Sequence, residues 1–330
     1  MRCTQNATAG EEWRRGWHPE RFTQTSTPDS VLVVGGGPAG LEAALIAARQ
    51  GFEVTIAEQA EDWGGRVLQE SQLPGMASWR RVRDYRVWAL SQMGNVAMFT
   101  NSELDAEAAI GFGADHIALA TGANWTKRLY SALEIPAEPL EEPQVFTPDD
   151  VFANAVSGER VLVFDYDNYY LGGVIAEHLA GEGKTVSYAT PAGHASAWTF
   201  MTNELPFVYQ ALSRRAIDIH TTTNLMGFDG SRAALQNLFN ATPLEIEVDA
   251  IVIVGHREPH DALYQSLLTA GADTDSPSIQ LLGDALAPGA IVHAVHSGHS
   301  FARGLVEADN LYLRDEPVVP AAPVRVFPQR

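Results

Sequence analysis

Short runs of consecutive apolar residues alternate along this chain with stretches of helical periodicity, the pattern of buried parallel strands joined by helices. Val31-Leu-Val-Val34 is one such run, and Gly35-Gly-Gly-Pro-Ala-Gly40 follows it at once. An Ala/Leu-rich helix is predicted from Leu41 to Gln50, stopped by Gly51. A second strand, Val54-Thr-Ile-Ala57, ends at Glu58. Residues 79–93 read as a helix and Ile117-Ala-Leu-Ala120 as a further buried strand. At Arg160 the order begins again, with a strand at Val161–Phe164, a helix at Leu171–Ala180, a stop at Gly181–Gly183 and a strand at Val186–Ala189. One strand–turn–helix–strand unit therefore occurs twice. Ala250–Val254 adds a strand to the second unit, and residues 279–284 form a strand and turn before a helix from about Ile291 to Ala308.

These elements predict an α/β protein with two nested Rossmann-like domains. Residues 28–140 together with 275–312 form the first domain and 141–274 the second, the Pro/Glu-rich stretch Glu134–Pro148 marking the boundary. Residues 1–27 are a polar and aromatic lead-in, read as extended, and 313–330 a proline-containing irregular tail.

Composition narrows the function. A net charge of -19 argues against nucleic acid and against a peripheral membrane surface, both of which call for a basic face. No apolar run reaches the ~18 residues of a membrane span, and the N-terminus lacks the apolar region of a signal peptide. The single cysteine, Cys3, excludes an intrachain disulfide and suits a reducing cytosol.

The chemistry sits in the first glycine loop. Gly35, Gly37 and Gly40 stand in G-x-G-x-x-G order between strand and helix, with Pro38 and Ala39 between them. Gly35 permits the turn, Gly37 lets the backbone approach a pyrophosphate, and Gly40 lets helix and strand pack closely. Phosphates would rest on the helix N-terminus, where free N–H groups and the dipole favour an anion. Glu58, at the end of the second strand, would take the ribose hydroxyls and oppose a 2′-phosphate. Trp63-Gly-Gly-Arg66 adds a tight backbone at Gly65 and a guanidinium, Arg66, which pairs with phosphate or is a solvated surface arginine.

Aligning the repeats on their strands places Asp165 opposite Gly35, Asp167 opposite Gly37 and Tyr170 opposite Gly40, with Thr190 in place of Glu58. Carboxylates where a pyrophosphate would lie, and a ring where helix and strand must touch, predict a second unit that keeps the fold and has lost NAD(P) binding. His293, His296 and His299 recur every third residue, but the spacing spreads them around a helix; surface or ligand-facing polarity is the reading, not a metal site. Asp165, Asp167 and Asp229 lack calcium-loop spacing, and Ser297-Gly298-His299-Ser300 lacks the G-x-S-x-G elbow. Trp79, Tyr85 and Trp88, interleaved with Arg80, Arg81, Arg83 and Arg86, read as ordinary packing on an amphipathic helix, with a partner surface as the alternative.

The glycine loop, an Ala120-Thr121-Gly122 turn, the nested second unit and a late Gly283-Asp284 resemble the two-dinucleotide-binding-domain flavoproteins. In that superfamily the late Asp lies near the flavin ribityl or pyrophosphate, which would be Asp284; Thr121 and Gly122 would also contact the cofactor. Cys3-Thr-Gln-Asn-Ala-Thr-Ala-Gly-Glu-Glu12 and Arg15-Gly-Trp-His-Pro19 resemble the segment joining barrel and nucleotide domains in the trimethylamine/dimethylamine dehydrogenase family, to which histamine dehydrogenase and 2,4-dienoyl-CoA reductase are related. Leu73-Pro-Gly75, Trp79, Arg83-Asp-Tyr-Arg86, Gly113-Ala-Asp115 and Gly298-His299 continue the likeness over essentially the whole chain.

The resemblance implies a TIM barrel with FMN and a 4Fe–4S cluster in the intact enzyme. Cys3 resembles the last of the four cluster cysteines; the other three, and the barrel, are not in this sequence. The expected partners are therefore the FMN-barrel region or subunit and an electron-transferring flavoprotein. Relatives of the reductase type bind FAD and NADPH in the two nucleotide modules, whereas the amine dehydrogenases keep ADP in the first. The eroded second loop favours ADP over FAD. Three readings remain: the nucleotide-binding region of an amine dehydrogenase with no turnover of its own, a stand-alone FAD-dependent NAD(P)H oxidoreductase, or a non-catalytic ADP-bound scaffold.

Overall fold

The computed structural model describes residues 3–12, 15–27, 29–129, 140–270 and 277–307. After the lead-in come β1 (Ser30–Val34), α1 (Pro38–Arg49), β2 (Glu53–Ala57), α2 (Arg66–Glu70), α3 (Arg81–Ser91), β3 (Val96–Phe99), α4 (Ala106–Gly111) and β4 (His116–Leu119). β5 (Ala123–Trp125), β6 (Val145–Phe146) and α5 (Pro148–Phe152) carry the chain to the second unit. That unit contains β7 (Arg160–Asp165), α6 (Leu171–Gly181), β8 (Thr185–Ala189), α7 (Leu205–Arg214), β9 (Asp218–His220), β10 (Thr223–Phe228), β11 (Arg232–Asn237), β12 (Pro243–Glu247) and β13 (Ala250–Val254). β14 (Arg257–Pro259), α8 (Ala262–Thr269), β15 (Ser278–Leu281) and α9 (Ile291–Gly304) bring it back to the first.

Each repeat builds a five-stranded parallel sheet, in the orders β15-β4-β1-β2-β3 and β6-β13-β7-β8-β9. The apolar runs are continuous because both faces of these strands are covered: Val31, Leu32 and Val33, and all of β13, are buried. Leu41, Leu45 and Ala48 of α1 cover one face of the first sheet together with Ile56 and Phe52. α9 lies directly against α1 because Gly298 has no side chain; a Cβ there would come within 3.0 Å of the Ala39 carbonyl carbon and the Ala43 nitrogen. The two units are also joined by a small antiparallel ribbon of β5 and β14.

The structure departs from the sequence reading in several places. An antiparallel sheet, β10-β11-β12, sits on the second unit and was not expected. The helix expected over 79–93 opens as a 3-10 turn at Ala77–Arg80 and ends at Ser91. On it Trp79 packs, stacking on Tyr170 at 5.2 Å, and Arg86 is wholly buried, but Tyr85 and Trp88 face solvent. The lead-in is docked rather than merely extended: Ala7, Thr8, Glu11 and Trp17 are buried. The tail 313–330 lies outside the described residues, as do 134–139 of the 134–148 stretch and 275–276 and 308–312 of the 275–312 segment.

Candidate functional site

The carboxyl ends of β1, β2 and β4 open on a cleft of about 360 Å³, within the range of small-molecule sites. Its floor is the first glycine loop, and the three glycines divide the work. Gly35 takes φ +106°, and a Cβ there would lie 2.8 Å from the Ala120 carbonyl carbon. Gly40 faces the same turn, where a Cβ would lie 3.1 Å from the Gly35 carbonyl carbon and 3.2 Å from Val33 Cγ1. These two are glycines because the chain packs on itself. At Gly37 a Cβ would meet nothing within 4 Å, and this glycine lines the cleft. The protein's own packing therefore does not require a glycine at Gly37, and its place in the cleft floor fits a diphosphate cradle. Pro38 and Ala39 open α1, and no side chain caps it, so its N–H groups are available to an anion.

Glu58 stands in the opposite wall, nearly buried, its Oε2 accepting from the Gly36 N–H at 2.6 Å and its Oε1 from the Ala60 N–H at 2.8 Å. Two backbone donors hold the carboxylate in place beside the cleft. Thr121 lines the third side and donates its hydroxyl to the His260 carbonyl at 2.5 Å, while the His260 N–H donates to the Gly122 carbonyl at 2.9 Å. Gly122 adopts φ +81°. Gly65 reaches the cleft by running its backbone past Gly37, to whose Cα a Gly65 Cβ would come within 3.4 Å.

Next to Gly65 in the chain, Arg66 opens an ionic cluster. Arg66 pairs with Glu70 at 2.7 Å and Asp284 at 3.3 Å, so its partly exposed guanidinium is held by two carboxylates. Asp284 is held at 2.5 Å by Arg257 and accepts from the Gly289 N–H at 2.9 Å. Arg257 also donates to the Gly289 carbonyl and lies over the Trp125 ring. Burial raises the Asp284 pKa, opposed chiefly by Arg66. Burial likewise raises that of Glu70, whose other oxygen accepts from Tyr170 at 2.5 Å.

The second loop is closed in a way the strand alignment misplaced. Phe164 pairs with Ala189 as Val34 pairs with Ala57, yet α6 starts only at Leu171, so the loop is three residues longer. Tyr170 thus lies ahead of the helix and obstructs nothing; the close approach is made at Gly172, where a Cβ would lie 2.6 Å from Asp165 Oδ2. Asp165 is fully buried, accepts from the Tyr188 hydroxyl and from the Asn168 N–H, and fills the space below the loop. Burial and then Asp167 push its pKa up to about 7. Thr190, also buried, bonds Asn168.

The three histidines do not converge. His293 accepts from the Ala290 N–H, whereas His299 is buried against Glu42 at 2.7 Å. Among the described residues no three His, Cys, Asp or Glu side chains gather as a metal site, and Cys3 alone does not fit a four-thiolate cluster. No described helix is long and apolar enough to cross a membrane. Sequence reasoning missed the cleft's outer wall, Ser102–Ala106 with Leu263 and Ser266, and missed Arg257, whose partner lies 27 residues away.

A family model described as pyridine nucleotide-disulphide oxidoreductase matches residues 8–72 and 29–276. The chain belongs to this family. It is 31% identical over 340 residues to dimethylamine dehydrogenase of Hyphomicrobium sp. (strain x), covering 93% of this chain and 46% of that protein. The structure of histamine dehydrogenase from Rhizobium sp. 4-9 superposes with a TM-score of 0.89 at 38% identity, over 93% of this chain and 48% of that one. The structure of 6-hydroxypseudooxynicotine amine oxidase from Pseudomonas geniculata N1 gives 0.88 at 38% identity, over 92% and 46%. The chain thus spans about half the length of the relatives it matches, and is homologous to amine dehydrogenases within a flavoprotein oxidoreductase family.

Proposed function

We propose that this chain is the nucleotide-binding region of an iron–sulfur flavoprotein amine dehydrogenase. It binds ADP at the first glycine loop and supports electron transfer to a partner flavoprotein without oxidising amine itself. The observation that carries the choice of ADP is the Arg66–Asp284–Arg257 cluster beyond Gly65. By resemblance, an FAD would extend its ribityl chain past Gly283-Asp284. Displacing Arg257 or Arg66 to admit it would strip the largely buried Asp284 carboxylate of one of its two arginines, at a cost of about 2–4 kcal/mol. ADP ends at its diphosphate and requires no such opening.

In this reading the ribose hydroxyls donate to Glu58, and the N–H groups at the start of α1 hold the diphosphate over Gly37. Thr121, with Leu263 and Ser266 beyond it, flanks the nucleoside. ADP supplies charge and contacts but no redox chemistry. FMN and the cluster would belong to the intact or assembled enzyme, where Cys3 would be one cluster ligand. The non-catalytic scaffold is the same binding mode without a redox partner. A stand-alone FAD-dependent NAD(P)H oxidoreductase is the second reading, favoured by the family match and the intact glycines; the buried Asp165 beneath the second loop opposes it.

Calorimetric titration of the purified chain with ADP and FAD, together with its visible spectrum before and after NADPH, tests this. The expected result is a colourless protein that binds ADP at one site, with FAD at least ~10-fold weaker and no NADPH oxidation. A yellow protein whose flavin bleaches with NADPH would overturn it in favour of the reductase.

A further inference from the structure

The helix that carries the nucleotide cradle also carries the anchor of the lead-in. Glu42 lies one residue beyond the Gly40–Leu41 step, in the first turns of α1, and is buried. Its Oε2 accepts from Arg86 Nε at 2.6 Å and its Oε1 lies 2.7 Å from His299 Nδ1. Burial alone would raise the Glu42 pKa, but Arg86 and His299 outweigh it and hold the carboxyl below its ordinary range. Both partners then reach the lead-in. Arg86 donates to the Gln5 carbonyl, and the His299 ring packs on Trp17 at 4.9 Å. His299 also accepts from Arg303, which further donates to the Arg21 and His18 carbonyls and to Glu307 at 2.8 Å each. Gly298, beside His299, is the glycine that brings α9 against Ala39.

A second observation concerns what lies under the lead-in. Between it and α1 is a groove of about 660 Å³, lined by Gln5, Thr8, Phe22, Leu45, Arg49 and Tyr85. The segment is anchored by the buried Ala7, Thr8, Glu11 and Trp17 and borders the groove between these anchors. A segment held at separate anchors opens locally at a lower free-energy cost than the core does.

We propose that docking of residues 3–12 and 15–22 is coupled to nucleotide occupancy of the first glycine loop, with Glu42 as the positioning residue between them; this rests on the nucleotide reading above. Phosphate on the N-terminus of α1 rigidifies that helix and the α9 surface fused to it. The lead-in then docks on a surface already ordered, which is positive coupling without a change of shape. The coupling is reciprocal, so a docked lead-in tightens nucleotide binding by the same factor.

Hydrogen exchange of the full chain, with and without saturating ADP, measures this, with ADP binding followed calorimetrically in the same sample. Peptides covering 3–12 and 15–22 are expected to exchange at least ~5-fold more slowly with ADP, the lower end of common allosteric couplings. Bound ADP with unchanged exchange there overturns the coupling alone. Absence of ADP binding fails the nucleotide reading instead. A reciprocal test uses Trp17→Ala, which removes an anchor remote from the cradle. Its lead-in should exchange freely and its ADP affinity fall by the same factor of at least ~5-fold; free exchange with wild-type affinity overturns the proposal. Glu42→Gln, which keeps the side chain's shape and removes its charge, should weaken both together. The wild-type measurement stands even if either variant fails to fold.

Discussion

Gly37 and Gly40 are three residues apart in one loop, and the structure predicts opposite consequences for the same substitution at each. In Gly40→Ala the new methyl would lie 3.1 Å from the Gly35 carbonyl carbon and closer still to its oxygen, with Val33 Cγ1 at 3.2 Å. Backbone cannot yield as a side-chain tip can, so α1 must lift from β1. Overpacking of this kind costs about 1–3 kcal/mol, and contact with fixed backbone belongs at the upper end. In Gly37→Ala nothing lies within 4 Å, and φ -75° suits an alanine. Stability should then hold or rise by about 0.4–1 kcal/mol, since alanine lowers the entropy of the unfolded chain. The cost of Gly37→Ala appears only when a diphosphate approaches, as a loss of ADP affinity of at least ~10-fold. Urea unfolding of both variants without nucleotide, followed by ADP titration, gives all four numbers. A Gly37→Ala protein that is destabilised by more than ~1 kcal/mol, or that binds ADP as the wild type does, would refute the division of labour argued for the loop.

Three further outcomes follow from the buried charges. Asp165, with a pKa raised to about 7, binds a proton in the native state that it would release when unfolded. Its contribution is therefore greatest below about pH 4 and declines as pH rises to about 7, by up to ~1.4 kcal/mol per unit; Asp165→Asn should flatten this slope in urea midpoints measured from pH 5 to 8, and an unchanged slope would assign it elsewhere. Arg257→Ala should cost about 2–4 kcal/mol by leaving Asp284 with Arg66 alone, a loss that Arg257→Ala/Asp284→Ala should largely recover. The same double variant should bind FAD more tightly relative to ADP than the wild type does, and an unchanged ratio measured by calorimetry would mean that the cluster does not select the nucleotide.

The first unit was legible because its strands are uninterrupted apolar runs and its glycines sit where only backbone contact or an open cleft can explain them. The second unit was legible in its strands but not in its loop. Sequence register alone put Tyr170 at the helix–strand contact, while three extra residues move that contact to Gly172 and leave Tyr170 free to bond Glu70. The antiparallel strands were missed because they are only partly buried: in Arg232–Asn237 only Ala233 and Leu235 are buried, and in Pro243–Glu247 no residue is. Pairings such as Arg257 with Asp284, or Glu42 with Arg86 and His299, leave no local trace in the chain. They arise from topology, which brings residues 44 and 257 positions apart to one buried carboxylate.

The nesting of one unit inside the other also sets an order of assembly. β6 to β13 are contiguous in the chain, so the second sheet has all its strands once Val254 has left the ribosome. The first sheet gains its last strand, β15, and the α9 partner of α1 only some 240 residues after the glycine loop is made. Contacts of such long sequence separation form late and slowly. The first unit must therefore wait, open, beside a neighbour whose strands are all made, and under the proposed function a nucleotide would act as the final piece that closes synthesis rather than as a guest received by a completed protein.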